Sequence, residues 1–159
     1  PLLSVFGGKI TTYRKLAEHA LAKLQPVMGF AGGPWTATAP LPGGDIPQAD
    51  FVTFRTEAER RFPWLPAPVL QRWARAYGTR LTSIAGSAGR LEDLGPDYGG
   101  GLFEAEVAYL VEHEWARTAE DVLWRRSRLG LHVGEDTVAR LRTRLETSPA
   151  AAPVAAVGR

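Results

Sequence analysis

The chain has 159 residues, 45% of them hydrophobic and 23% charged, so it is long enough to bury one core. Its 19 basic and 17 acidic side chains give a formal net charge of only +2 and are interleaved along helical segments, which argues against nucleic-acid binding. The sequence has no cysteine, which excludes disulfides and thiolate chemistry, and no stretch approaches the roughly 20 apolar residues that span a bilayer.

The chain begins with an apolar stretch, Leu2–Phe6, followed by a Gly-Gly-Lys turn and two threonines. We predict a short strand buried on both faces, a turn at Gly7–Gly8, and a helix that Thr11 or Thr12 caps. Such a turn leaves a row of free backbone N–H groups at the positive end of a helix, and Lys9 adds a full charge beside them. The pattern therefore predicts a site for an anion or an electron-rich ring edge.

Apolar residues at three- and four-residue spacing predict helices in most of the remaining chain. The first helix begins near Thr12 and ends near Gly29, which suits a left-handed cap. A cluster of glycine and proline predicts a long ordered loop over residues 29–50. The later predicted helices cover residues 51–62, 69–78, 80–86, 90–94, two segments of 102–129, and 135–145.

Two helices are predicted within 102–129 because Thr118 and Asp121 have the spacing of a capping box, which places a corner near residues 116–117. The tail, residues 147–159, has no core-forming pattern and is predicted to be disordered. The fold class is therefore mainly α, a small helical bundle entered from one short N-terminal strand.

Three stretches of the chain resemble one protein family: residues 7–17 (GGKITTYRKLA), residues 41–45 (LPGGD), and residues 101–126. The first resembles a signature of FAD-dependent glycerol-3-phosphate dehydrogenases, and the other two resemble the C-terminal helical domain of that family. Three matches in order are more specific than one glycine pattern. The dinucleotide fingerprint G-x-G-x-x-G of the family is absent. The chain thus resembles the C-terminal third of an aerobic, respiratory flavoenzyme of bacterial type.

The resemblance implies a division of the chain into parts of two domains. Residues 1–11 would end the FAD and substrate domain, residues 12–146 would form the C-terminal helical domain, and a tail would follow. Most contacts to FAD would belong to a missing N-terminal domain. We therefore expect this chain alone to be inactive and not to retain FAD.

The resemblance also implies roles for the residues of the glycine turn. FAD-binding roles fall on Gly7, Gly8, Lys9, Ile10 and Thr11. Of these, Lys9 and Thr11 would also be catalytic, because in the family they lie close to flavin and substrate. Positive potential at this position would stabilise the anionic reduced flavin.

The implied function belongs to glycerol metabolism: an oxidoreductase that converts sn-glycerol 3-phosphate to dihydroxyacetone phosphate and passes electrons from FAD to a quinone. Its partners would be glycerol 3-phosphate, the quinone acceptor and the missing FAD domain, and a homodimer stays open. The implied location is cytoplasmic, peripheral on the inner membrane. Two alternatives also stay open: a glycerol-3-phosphate oxidase that uses oxygen, and a non-enzymatic helical module whose Gly-Gly-Lys helix start binds an anionic partner.

Other candidate residues point to structural roles. His113 and the glutamate after it begin like a zinc-hydrolase motif, but Arg117 stands where the second histidine is required, so no metal site is predicted. The charged residues of 112–128 are expected to form helix-surface or interhelix ion pairs. Tyr13 and Arg14 are expected to have structural roles, and the five tryptophans are expected to pack in the core or against other domains.

Overall fold

The computed structural model describes residues 2–147, and its contacts divide the chain between Leu41 and Pro42 into two compact units. We call them the N-terminal unit and the C-terminal unit. The domain boundary predicted between residues 11 and 12 is a different division and stays a prediction. The predicted disordered tail lies outside the described residues, except for Thr147. No described helix is long and apolar enough to cross a membrane.

The N-terminal unit contains a 3₁₀ turn, Ile10–Thr12, and helix α1, Tyr13–Met28. Helix α1 ends where the sequence predicts, because Gly29 adopts a left-handed φ of 67° and its N–H donates to the carbonyl of Gln25 at 2.9 Å. None of residues 2–41 is buried. The unit is therefore a helix and its flanking segments without an enclosed core.

The strand predicted at Leu2–Phe6 is wrong, because these residues have no regular secondary structure. A strand needs a neighbour to satisfy its backbone N–H and C=O groups, and no residue of 2–147 pairs with this segment. Leu2 is 91% exposed and Phe6 is 95% exposed, so the expected burial on both faces is also absent from the described part of the chain.

The C-terminal unit is helical, which confirms the mainly α prediction. Its longer elements are α2 (Phe51–Arg61), α3 (Ala67–Tyr77), α4 (Leu81–Ala85), α5 (Glu104–His113), a π-helical segment (Asp121–Arg126), and α6 (Glu135–Thr147). Short 3₁₀ turns separate several of them, including Leu91–Leu94 at a predicted position. The predicted helix positions agree with these bounds to within a few residues.

The core of the C-terminal unit forms where the apolar stripes of its helices meet. The side chains that are almost completely enclosed are Leu70, Trp73, Leu81, Leu94, Leu102, Val107, Leu110, Val122, Leu123 and Leu141. They come from α3 to α6 and from the turns between them. Burial of this apolar surface is the main favourable term that holds the helices together.

Only part of the tryptophan prediction is confirmed. Trp73 is fully buried, and Trp64 packs against the core from its edge. The other three are exposed on the described surface: Trp35 is 70%, Trp115 is 76% and Trp124 is 53% accessible. Composition alone does not say which tryptophans lie on an inward helix face.

The predicted corner between α5 and the next helical segment is confirmed. Trp115 adopts a left-handed φ of 56°, which turns the chain. The predicted capping box also forms, because the Asp121 N–H donates to Thr118 Oγ1 at 3.1 Å and the Thr118 N–H donates to Asp121 Oδ2 at 3.0 Å. The Arg117 N–H donates to the same carboxylate, and this bond is the main cause that lowers the pKa of Asp121 to about 2.

Hydrogen bonds connect the LPGGD stretch, in the loop before α2, to the turn that follows α3. The Thr79 N–H donates to the Gly43 carbonyl at 3.1 Å, and the Thr79 hydroxyl donates to Asp45. A Cβ atom on Gly43 would lie 2.1 Å from the Tyr77 carbonyl oxygen, and one on Gly78 would lie 1.9 Å from the Gly43 oxygen. Both glycines have positive φ, so neither position accepts a side chain.

Candidate functional site

The Gly-Gly-Lys turn has the backbone geometry that the sequence predicts. Gly7 and Gly8 have φ values of 77° and 141°, and Lys9 is extended with φ −112° and ψ 144°. A Cβ atom on Gly8 would lie 3.3 Å from Leu16 Cδ2, so the turn packs closely on the first part of α1. The glycines therefore allow a conformation that other residues resist.

The start of the helix leaves the predicted donors available. The Thr12 N–H bonds to the Lys9 carbonyl at 3.0 Å, whereas the N–H groups of Ile10 and Thr11 have no acceptor within residues 2–147. The predicted cap is wrong, because the Thr12 hydroxyl donates back to the Lys9 carbonyl at 3.1 Å and accepts no helix N–H. Gly7, Lys9, Ile10 and Thr11 are all exposed, so the turn forms an open surface with positive character.

Arg14 pairs with a carboxylate of its own helix, a contact that fits the structural role expected for it. Arg14 Nη1 donates to Glu18 Oε1 at 3.1 Å and to Thr36 Oγ1 at 3.2 Å, while the Thr36 hydroxyl donates to Glu18 Oε1 at 2.5 Å. The bond from Thr36 is the main cause that lowers the pKa of Glu18, and Arg14 and Lys15 add to it. This group ties α1 to the loop after it. Tyr13 is 54% exposed in the described unit.

A second polar centre, which the sequence analysis missed, is buried in the C-terminal unit. Glu106 of α5 has a fully enclosed side chain that accepts four hydrogen bonds from α3. Arg72 Nη1 and Nη2 donate to its two oxygens at 2.5 and 2.7 Å, the Tyr77 hydroxyl donates at 2.6 Å, and Trp73 Nε1 donates at 2.7 Å. Arg72 also donates to the Gly101 carbonyl at 2.8 Å.

The electrostatics of this centre follow from its burial. Burial alone would lower the pKa of Arg72, but the hydrogen bonds and charge of Glu106 raise it above its ordinary value. Burial, and then the Glu106 charge, raise the pKa of the Tyr77 hydroxyl far above its usual range. The phenol therefore stays protonated and remains a donor. All four bonds satisfy the carboxylate, so the centre joins α3 to α5 and offers no open position for a substrate.

One sequence signal could have revealed Glu106. It lies three residues after Phe103 and four before Leu110, on the apolar stripe of α5. A carboxylate at an inward position of a helix requires a partner in the fold. The partner, Arg72, precedes the core residue Trp73, but the pairing spans 34 residues of sequence and only the packing of α3 on α5 brings it about.

Some of the charged residues after α5 form surface ion pairs, as predicted, whereas Arg117, Arg126 and Arg128 have no carboxylate within 4.0 Å among residues 2–147. Arg125 pairs with Asp121 at 2.5 Å, and Arg142 of α6 pairs with Glu120 at 2.6 Å. His113 lies 3.9 Å from a neighbouring glutamate. Within residues 2–147, no group of three or more potential ligands could hold a metal ion.

Comparison with known proteins identifies relatives along most of the chain. A family model described as the C-terminal domain of alpha-glycerophosphate oxidase matches residues 34–151. Glycerol-3-phosphate dehydrogenase of Pseudomonas aeruginosa is 53% identical over 142 residues, which is 89% of this chain and 27% of the relative. Aerobic glycerol-3-phosphate dehydrogenase of Escherichia coli is 48% identical over 141 residues, 89% of this chain and 28% of the relative.

A relative named for a different substrate is nearly as similar. D-erythritol 1-phosphate dehydrogenase of Brucella abortus is 48% identical over 135 residues, 85% of this chain and 27% of the relative. The chain spans roughly a quarter of the length of these relatives. The family match begins at residue 34, so it leaves the turn at residues 7–11 outside.

Proposed function

Because the chain belongs to the family of the C-terminal domain of alpha-glycerophosphate oxidase, as its motifs predicted, we propose that it is the C-terminal part of an FAD-dependent oxidoreductase. The complete protein oxidises sn-glycerol 3-phosphate to dihydroxyacetone phosphate. The observation that carries this proposal is the identity of about half the aligned residues with two glycerol-3-phosphate dehydrogenases over 89% of the chain.

The domain division proposed for the complete protein gives residues 1–11 to the FAD domain and residues 12–146 to the helical domain. The exposed apolar side chains of the N-terminal unit support a further packing partner, since Leu2, Phe6 and Ile10 are 91%, 95% and 88% exposed. Isolated apolar side chains on a surface are common. In residues 2–41, however, no residue is buried, so this helix lacks the packing that usually stabilises helices in proteins. The remaining three quarters of the protein supply that packing.

The Gly-Gly-Lys turn is the proposed contact with the flavin, and its residues fit an electron-rich ring edge. The N–H groups of Ile10 and Thr11 have no acceptor within residues 2–147, Gly8 allows a close approach of backbone, and Lys9 supplies a positive charge. When bound, FAD supplies hydride acceptance from the substrate carbon. The residues of the turn hold its ring edge by hydrogen bonds, and Lys9 stabilises negative charge that develops there.

Thr11 is proposed to act with Lys9 at the substrate. Thr11 is exposed and lies two positions after the lysine, so both residues can meet an anionic substrate at this turn. A lysine ammonium is a compact charge that suits a phosphate group, and a hydroxyl orients it by a hydrogen bond. The substrate class is a polyol phosphate, and D-erythritol 1-phosphate is the second candidate because of the 48% identical relative.

The proposed electron acceptor is a quinone. The complete protein is proposed to lie peripherally on the inner membrane. Its proposed partners are the substrate, the quinone, the FAD domain and a second copy of the protein. The oxidase named by the family model supports oxygen as the alternative acceptor. Oxygen consumption by the reduced complete enzyme, measured with and without a soluble quinone, separates the two. This chain alone should lose FAD during purification, because it lacks most of the cofactor contacts.

Lys9→Ala in the complete enzyme is the decisive test of the site. We expect a roughly hundred- to thousand-fold slower reduction of the flavin by glycerol 3-phosphate, because one preorganised electrostatic contact is lost. Stopped-flow absorbance under anaerobic conditions measures this rate. Folding should not change, since Lys9 is exposed and belongs to no core.

Two controls make the result specific. Lys23→Ala removes an equally charged, exposed lysine of α1 and should leave flavin reduction unchanged. Arg14→Ala, which breaks the contacts with Glu18 and Thr36, should reduce stability more than turnover. An unchanged reduction rate and substrate affinity in the Lys9 variant would remove this residue from the site and leave the glycine turn a purely conformational role.

A further inference from the structure

A basic groove lies on the C-terminal unit, beside α3 and the end of the π-helical segment. It has a volume of about 630 Å³ and is lined by four arginines, Arg72, Arg75, Arg126 and Arg128, together with Gln71 and Ser127. No carboxylate lines it. Such a concave surface concentrates positive potential and attracts anions.

Three of the four charges are not compensated. Arg72 is neutralised by the buried Glu106, as described above. Arg75, Arg126 and Arg128 have no carboxylate within 4.0 Å among residues 2–147, although Arg125, their neighbour in sequence, pairs with Asp121. Four arginines and the one glutamate that pairs with Arg72 give the groove a formal net charge of +3.

The backbone under two of these arginines has an unusual conformation. Arg126 ends the π-helical segment, in which the Ser127 N–H bonds to the Val122 carbonyl five residues earlier at 2.9 Å. Arg128 adopts a left-handed φ of 58°. The Ser127 hydroxyl holds this geometry, since it donates to the Val122 carbonyl at 2.7 Å and accepts from the Leu129 N–H at 3.2 Å.

Both features are costly for ordinary residues and persist only where the surroundings impose them. π-Helical segments also occur frequently at functional sites. Here the two features place Arg126 and Arg128 at the rim of one groove, with Arg75 of α3 in the same lining. A purely structural turn would not require three uncompensated charges on one concave surface.

We propose that this groove binds a phosphate group. A guanidinium presents paired N–H donors that match phosphate oxygens in a bidentate geometry, and a phosphate dianion offers several oxygens and two charges to the three arginines. The Gln71 side chain offers an amide donor at the same surface. The source of the phosphate group is either a free phosphate monoester, which is largely a dianion at neutral pH, or a phospholipid headgroup, whose phosphodiester carries one charge. Both present phosphate oxygens that pair with guanidinium N–H donors.

The test titrates inorganic phosphate into the 159-residue chain at constant ionic strength while NMR amide shifts report the residues of the groove. The groove variant is Arg75→Gln with Arg126→Gln. The matched control is Arg60→Gln with Arg117→Gln, which removes two exposed arginines outside the groove. We expect the groove variant to weaken phosphate binding at least about tenfold and the control less than about twofold, because charge-assisted hydrogen bonds are lost only in the first.

A second arm uses co-sedimentation with phosphatidylglycerol vesicles and, for comparison, phosphatidylcholine vesicles. Phosphate binding that only the groove variant loses supports the site with a free phosphate as ligand. Vesicle binding without phosphate binding, again lost only in the groove variant, supports the site with a lipid headgroup as ligand. Absence of both, or equal losses in the two double variants, would overturn the proposal, and thermal melts of all three proteins verify that they are folded.

Discussion

The two units of the chain each contain a carboxylate held by an arginine and a hydroxyl, yet the two groups differ in their surroundings. In the N-terminal unit, Glu18 meets Arg14 and Thr36 on a surface helix, and the arginine side chain is 33% exposed. In the C-terminal unit, Glu106 has no exposed surface and is held by Arg72 and aromatic donors. We therefore expect the ion pair of the C-terminal unit to contribute more to stability, because its carboxylate is fully enclosed whereas Glu18 keeps a 10% exposed side chain.

The helices show the same difference. Helix α1 has 16 residues and forms as predicted, but none of its side chains is buried. Its side chains Leu21 and Met28, together with Phe30 after the helix, line an open pocket of about 510 Å³. Helix α5 has only 10 residues and buries four of them. Local sequence is enough to define a helix, whereas the stability of that helix comes from the faces that pack against it.

The largest expected effect on stability comes from removing the negative charge of the buried carboxylate, Glu106, and it is compared with the same change at Glu18. Glu106→Gln keeps the shape, but Trp73 and Tyr77 donate to different oxygens of the carboxylate and the single amide oxygen can replace only one of them. The change also leaves Arg72, whose side chain is 20% exposed, without its counter-charge. We expect a loss of about 3–5 kcal/mol in the free energy of unfolding, as for other broken buried pairs. Urea unfolding of the 159-residue chain, followed by tryptophan fluorescence, measures it.

Glu18→Gln is the matched control for that experiment, because it makes the same chemical change in a pair that keeps contact with water: the side chains of Arg14 and Glu18 are 33% and 10% exposed. Its unfolding midpoint should stay close to that of the unchanged chain, since surface ion pairs contribute little. If the two variants lost equal stability, burial would not be the reason for the difference between the two groups.

Truncation of one leucine in each unit sharpens the comparison of the helices. Leu110→Ala, at a fully enclosed position of α5, should cost about 2–5 kcal/mol because it removes buried atoms and leaves a cavity. Leu21→Ala, at a 52% exposed position of α1, should change stability by less than about 0.5 kcal/mol. Urea unfolding of both variants measures these changes in the free energy of unfolding. A large loss of stability for Leu21→Ala would reveal packing of α1 that the described units do not show.

The smallest expected effect concerns the helix cap in the C-terminal unit. Asp121→Asn should cost about 1 kcal/mol near pH 6, because the charged acceptor of two backbone N–H groups is lost. The folded state lowers the pKa of Asp121 from an ordinary 3.8 to about 2, so its contribution is present above pH 4 and is lost as the pH falls toward 2.

The difference in unfolding free energy between Asp121→Asn and the unchanged chain should therefore shrink between pH 6 and pH 3. Asp136→Asn, which changes an 85% exposed carboxylate in the first turn of α6, serves as the control. A difference for Asp121→Asn that stays constant over this range would argue against its role as a charged cap.

Much of the local structure was predictable from the sequence. The periodicity of apolar residues placed α1 to α6, Gly29 marked the end of the first helix, and the Thr118 and Asp121 spacing located the cap after the corner. Each of these features depends on residues a few positions apart, whose geometry the backbone itself defines. The family resemblance was predictable for the same reason, because its motifs are local runs of residues.

Long-range features required the tertiary structure. The strand predicted at Leu2–Phe6 does not form in the described part of the chain because a strand depends on a neighbour that the local sequence does not contain. The Glu106 centre and the arginine groove each join residues separated by 34 or more positions, and no periodicity links them. The sequence by itself therefore determined which segments are helices and which family they belong to. Packing decided which charges are buried, which are paired and which remain open to an anion, because desolvation and pairing depend on distance in space.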